Sequence, residues 1–270
     1  LMWLGQLAES VGLTAKGEPD PLQWRTEFER LLITHLGDTQ TVPSVGFSLW
    51  WLRSAGATLR ERLSTEHWNF IKQAQEQFRE DCDALTRFDP PAASDALAAL
   101  DRLSKNLAAI TGAQHDRMWR DDGWRLLSAG RQLERLSFLT DALSRGFYTN
   151  AVHDAAGFGV LLDVFGSAIS FHSRYQRSRE IPALLEHVVL NCQNPRSLAW
   201  VAQTLNGRLA YLHEREAVGV DDLSKRLRQP DVSALATLCE SDAIGDFVHL
   251  QDLLRKMSDT AGELSDAIAL

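Results

Sequence analysis

The stretch Met118–Leu139, MWRDDGWRLLSAGRQLERLSFL, constrains this chain more than any other. Laid out at about 100° per residue, Leu126, Ala129, Leu133, Leu136, Leu139 and Leu143 share one broad apolar face. The opposite side carries Trp124, Leu127 and Phe138, interleaved with Arg131, Glu134 and Arg135. A helix that is apolar on two sides belongs at the centre of a bundle, so these charges are expected to be partly buried. A buried charge needs a partner, because desolvation is otherwise uncompensated. Glu134 follows Arg131 by three residues and adjoins Arg135, so a pair or triad is sterically available. Two readings stay open at this point: a network that fixes packing, and the lining of a polar site.

Helical periodicity runs through the rest of the chain. Trp68, Ile71, Gln75, Phe78, Cys82 and Leu85 recur every three or four residues, as do Leu97, Leu100, Leu103, Leu107 and Ile110. Alternating period-two runs bounded by turn residues are missing, which argues against a sheet. Glycine- and proline-bearing breaks separate the periodic segments. The expected fold is an all-α multi-helix bundle of roughly eight to ten helices. Ser64 is placed to cap one of them, and Asn194 another, with Pro195 at its first position. The whole chain, 1–270, reads as one helical domain, with Pro90-Pro91 marking a sub-bundle break near 88–93. Trp3–Val11 (WLGQLAESV) also echoes Ser128–Leu136 (SAGRQLERL), as two sub-bundles from an old duplication would.

Charge and composition exclude several classes. The formal net charge is −8, and only five of the 28 cationic residues are lysine. An acidic chain without a basic block is a poor match for nucleic acid. The arginine bias suits bidentate carboxylate pairing, and a GC-rich genome would produce it equally. Cys82, Cys192 and Cys239 are widely spaced, and they read as free buried thiols of a reducing compartment. No apolar run is long enough to span a membrane, and no signal peptide is visible, so a cytoplasmic location is expected. The chain opens at Leu1 in mid-pattern, as a piece excised from something longer would.

Motifs for the common chemistries are missing too. No histidine has a glutamate three residues before it, and His-Glu-x-x-His and Cys-x-x-Cys do not occur, so no metal is expected. Neither a phosphate-binding glycine loop nor a Gly-x-Ser-x-Gly elbow is present, and no cofactor is expected. Phe47, Trp50 and Trp51 form an aromatic stripe that reads as core or as a ligand platform. Ser170–Tyr175 (SFHSRY) ends an apolar helix in a polar cluster, with Arg174 at the negative end of the helix dipole. Asn194–Ser197 (NPRS) sets Arg196 in an expected first helical turn, where the dipole disfavours a cation and a carboxylate or phosphate partner would offset it.

These segments together resemble the bacterial alpha-E domain, an all-helical family named for an embedded Glu-Arg motif. The resemblance rests on Arg120–Arg135 (RDDGWRLLSAGRQLER), Ser170–Tyr175 and Asn194–Ser197, with weaker support from Leu59–Trp68. The first helix is similar to the family's opening WLGRY-x-ER pattern. It departs from it at Gln6 and Ser10, where arginine is usual, and keeps Glu9. The family context implies a circularly permuted ATP-grasp protein or domain as partner, and a setting of peptide or amide-bond modification.

The sequence therefore supports a non-catalytic helical module that docks an ATP-grasp ligase or holds its peptide substrate, without nucleic acid or membrane. Its polar network would comprise Glu9, Trp124, Arg125, Arg131, Glu134, Arg135, Arg174, Tyr175, Asn194 and Arg196. A stand-alone enzyme with Glu134 as its acid or base is the competing class, and a purely structural appendage is the third. Two arginines beside Glu134 would hold its carboxylate ionised at low pH, an unfavourable state for a base near neutrality.

Overall fold

The computed structural model describes residues 21–41, 44–87, 91–215, 222–243 and 245–269. These residues hold α-helices and no strand, which makes the fold all-α. They fall into two compact units, one ending at Trp119 and the other beginning at Arg120.

The first unit contains α1 (Pro21–His35), α2 (Val45–Thr58), α3 (Thr65–Leu85) and α4 (Ala93–Arg117). Ser64 caps α3 as expected, accepting the His67 N–H at 3.1 Å. Helices α3 and α4 pack along one another, and Ile71, Ala74 and Phe78 meet Ala99, Leu103 and Ile110 in a buried cluster. Pro91 thus sits in a connection inside one unit, and the division falls about thirty residues later than the sequence reading placed it. The physical reason is that α3 and α4 each bury one stripe, and each stripe is completed by the other. Trp50 and Trp51 of α2 are not core: they are 45% and 52% exposed, and their rings meet edge to face at 5.2 Å.

The second unit is built around α5 (Asp122–Tyr148), which packs against both α9 (Leu198–Glu214) and α11 (Val248–Ala269). Asp121 caps α5 by accepting the Trp124 N–H at 2.9 Å. The apolar face forms as the pattern requires: Ala129, Leu133, Leu136, Leu139 and Leu143 are all buried. Around this helix lie α6 (Ala155–Val164), α7 (Ala168–Tyr175), α8 (Ile181–Leu185) and α10 (Leu235–Leu238). Eleven described helices exceed the expected eight to ten because α8 and α10 are single turns, too short to show a period. No single described helix is long and apolar enough to cross a membrane. Helices α6 and α7 are apolar but bent by 119°, and Phe158, Leu161, Phe165 and Phe171 are buried in the core.

Two local expectations are corrected here. Helix α9 starts at Leu198, with Ser197 rather than Asn194 as its cap, so Arg196 lies in the preceding turn and not in the first helical turn. Cys82 is buried, its thiol pushed up to about 11 by desolvation, but Cys192 is exposed.

Candidate anion-binding site

Trp124, Ser128, Arg131 and Arg135 follow the i, i+4, i+7, i+11 spacing, so they form one line along α5. That line faces α9. Arg208 Nε donates to Ser128 Oγ at 3.2 Å, the Arg125 guanidinium lies 3.4 Å over the Tyr211 ring, and Arg215 pairs with Asp122 at 3.3 Å. Residue numbers rise on one helix as they fall on the other, so α5 and α9 run antiparallel along this seam. Trp124 is buried, with the guanidinium groups of Arg120 and Arg208 at 4.1 Å and 4.7 Å from its ring.

Two groups of arginines occupy the seam. At the start of α5, Arg125 and Arg208 are stacked on aromatic rings, and Arg125 Nη1 also donates to the carbonyls of Arg120 and Asp121. A guanidinium over an aromatic face is held there by cation–π attraction and keeps its remaining N–H donors for an anion. Further along α5, half-buried Arg135 is subject to the like charges of Arg196 and Arg131. Arg196 extends across Gly166, whose positive φ of 55° and missing side chain leave room for it. A Cβ on that glycine would come within 2.8 Å of Arg196 Nη1.

Positive charge predominates in the seam, where Asp122 is paired with Arg215. Burial lowers the pKa of Arg135, and the like charges of Arg196 and Arg131 lower it further. Arg208 is depressed by burial and then by Arg125 and Arg120. Among the described residues no carboxylate lies within salt-bridge distance of Arg135, Arg196, Arg125 or Arg208. Like charges crowded at a half-buried surface are unfavourable unless an anion joins them.

Glu134 does not supply that anion. It is exposed, and among the described residues it forms no ion pair. The expected Arg131–Glu134–Arg135 triad is therefore absent from the described structure. On the helix Glu134 lies about 60° from Arg131 and about 100° from Arg135, so the arginines are half-buried while the carboxylate turns to solvent. Leu127 and Phe138 share that outer flank and are 40% and 54% exposed. Glu9 lies outside the described residues.

The other predicted residues meet around a single irregular turn. Helix α8 runs into a π-helical turn, Glu186–Leu190, which leaves backbone groups out of register. Buried Asn194 repairs this: its Nδ2 donates to the His187 carbonyl at 3.0 Å, and its Oδ1 accepts the Arg196 N–H at 3.0 Å. His187 is buried, with Nε2 2.9 Å from Ser170 Oγ and its ring edge-on to Phe171 and Tyr175. Arg174 pairs with Glu186 at 2.5 Å and leans on Tyr175, whose pKa is raised by burial and by Glu186. Asn194 thus acts as scaffold that holds the Arg196 backbone, Tyr175 packs on His187, and Arg174 already has its carboxylate.

Sequence reasoning missed Arg208 and Tyr211. Their one signal was a three-residue spacing on a helix of mixed character, which puts both on one face. A cavity of about 490 Å³ lies at the other end of α5, walled by Ser144, Phe147, Tyr148, Phe247 and Gln251. Its arginine, Arg255, is paired with Asp252 at 2.7 Å and Asp259 at 3.3 Å, so it offers no uncompensated cation.

Compared with known proteins, residues 3–270 match the sequence profile of Alpha-E, described as "a predicted alpha-helical domain with a conserved ER motif". The chain belongs to the Alpha-E family. Similar curated relatives are uncharacterised proteins of Mycobacterium tuberculosis and Mycobacterium bovis, each 24% identical over 230 residues and 80% of this chain. The chain spans about a quarter, 25%, of the length of these relatives. No solved structure matches it. In this Alpha-E domain the Glu134-Arg135 step has split roles: the arginine enters the seam and the glutamate faces outward.

Proposed function

We propose that this Alpha-E domain is a non-catalytic binding module that holds a carboxylate-bearing peptide for a circularly permuted ATP-grasp ligase. ATP-grasp chemistry joins a carboxylate to an amine through an acyl phosphate, so its substrates carry the group that an arginine seam recognises. One observation carries the reading: Arg135 and Arg208 are half-buried, crowded by other arginines, and lack a carboxylate partner among the described residues. Arg135 and Arg208 are complementary to an anionic ligand. The relatives add support, since the matched region is a quarter of a longer chain, the arrangement of a domain that works beside others. Glu134, the base of the enzymatic alternative, stands exposed and outside the seam.

The test is binding of the 270-residue chain to the ATP-grasp protein encoded beside it, or to the ATP-grasp region of the same polypeptide, with and without an acidic peptide. An acidic peptide should bind, and Arg135→Gln with Arg196→Gln should weaken it at least about tenfold, the loss of two charge-assisted contacts. Peptide binding that is unchanged in the double variant refutes the reading.

A further inference from the structure

The outer face of α5 carries a line of its own. Leu127, Glu134 and Phe138 follow the i, i+7, i+11 spacing and all three are exposed, with half-buried Arg131 along one border. Gly130 lies along the other border, and a Cβ built on it would meet nothing within 4 Å. Ser128 and Ser144, through which α9 and α11 reach α5, stand about 100° to either side of Leu127 and leave the line uncovered. Single exposed apolar residues are ordinary, but this line has an internal order. The pairs Leu127/Phe138 and Arg131/Glu134 share one midpoint, between Gln132 and Leu133. When a helix packs on a second copy of itself about a two-fold axis, the two run antiparallel, and residue i meets residue j while j meets i. Pairs that meet in this way must share a midpoint.

We propose that the outer face of α5 binds a second copy of this chain, antiparallel and two-fold symmetric, with the axis between Gln132 and Leu133. Each Leu127 then packs on the partner's Phe138, and each Glu134 lies opposite the partner's Arg131. The contact runs about 16 Å along each helix. Gly130 puts no side chain on its border, so the two helices can approach closely. The charges fix the register as well as the partner. Sliding the copies by three residues sets Glu134 against Glu134 in one direction and Arg131 against Arg131 in the other, both repulsive. One helix face is a small interface, so the association is expected in the micromolar range. This contact is independent of the peptide-holding role argued above.

Sedimentation equilibrium of the 270-residue chain across the micromolar range tests this. The parent should associate to a dimer and no further. Glu134→Arg and Arg131→Glu each put like charges into both ion pairs, and each should raise the dissociation constant at least about tenfold. Mixed in equal amounts, these two variants should form a heterodimer about as tight as the parent, because each copy supplies the charge that the other lacks. Leu127→Asp and Phe138→Lys repeat the design on two exposed positions, so the test stands even if Arg131→Glu does not fold. Thermal unfolding of each variant separates lost association from lost folding. A chain that stays monomeric at several hundred micromolar overturns the proposal, and the line then faces a different protein. Self-association that the variants leave unchanged places the dimer on another face and overturns it too. So does a mixture of folded variants that stays monomeric.

Discussion

Replacing Arg135 by methionine is expected to make the domain more stable while weakening its response to acidic peptides. Arg135 is half-buried on α5, repelled by Arg196 and Arg131, and without a carboxylate partner among the described residues. A fully buried ion costs several kcal/mol, and the exposed half of this side chain is screened by water, so the native charge costs about 1–2 kcal/mol. Methionine keeps an unbranched apolar stem against the same neighbours and drops the charge. For a chain of this size that gain raises the melting temperature by about 2–6 °C. Thermal unfolding at low salt, with and without an acidic peptide near a hundred times its dissociation constant, checks both halves. The parent should gain about 2.7 kcal/mol from the peptide, and a variant that binds tenfold more weakly about 1.4 kcal/mol. A fall in melting temperature of a few degrees on Arg135→Met would show that the guanidinium is compensated in the free protein, and the case for an open anion seat would collapse.

Glu134→Ala should change the stability by no more than about 0.5 kcal/mol, since the carboxylate is exposed and forms no ion pair among the described residues; chemical denaturation reads this directly. Gly166→Ala forces a side chain onto a backbone with φ of 55° and into the space of Arg196, so it should cost about 1 kcal/mol and weaken acidic-peptide binding together. Asn194→Ala leaves the His187 carbonyl of the π-turn without its donor, a loss of about 1–3 kcal/mol measurable by thermal unfolding. Burial lowers the pKa of both His67 and His187 below the ordinary 6.5, so the unfolded chain takes up these protons first. Stability should therefore be full above pH 6.5 and fall as the pH drops towards the folded-state values. Melting curves between neutral and mildly acidic pH should slope that way, and less steeply in His187→Gln.

The sequence determined the character of α5 and left its environment open. The Leu133, Leu136, Leu139 and Leu143 stripe had one outcome, because burying it is the largest gain available to that segment. The second face was legible only in part. Apolar content says which residues gain from burial, but not which helix arrives to bury them: α9 lands on Trp124 and Ser128 and leaves Leu127 and Phe138 outside. Glu134 was misjudged through nearness in sequence, since adjacent helical residues point about 100° apart. Asn194-Pro195 looked like a helix start, but Ser197 made the cap and Asn194 was taken by the π-turn, whose extra residue leaves no trace in the apolar pattern. Arg208 and Tyr211 carried no local signal strong enough to stand out among 28 cationic residues. In the structure Ser170–Tyr175 and Asn194–Ser197 meet through His187, which touches Ser170 and Asn194.

The fit of Arg196 against Gly166 ties two positions thirty residues apart into one unit of inheritance. A descendant that keeps the arginine has no freedom at the glycine. One that loses the arginine is released from the steric demand, though the turn still favours a residue tolerant of its backbone. Asparagine, the side chain best suited to such a turn, should then enter the glycine position only in lineages where the arginine is already gone. The order of those two losses along a family tree would record when a lineage stopped holding an anion at that seat.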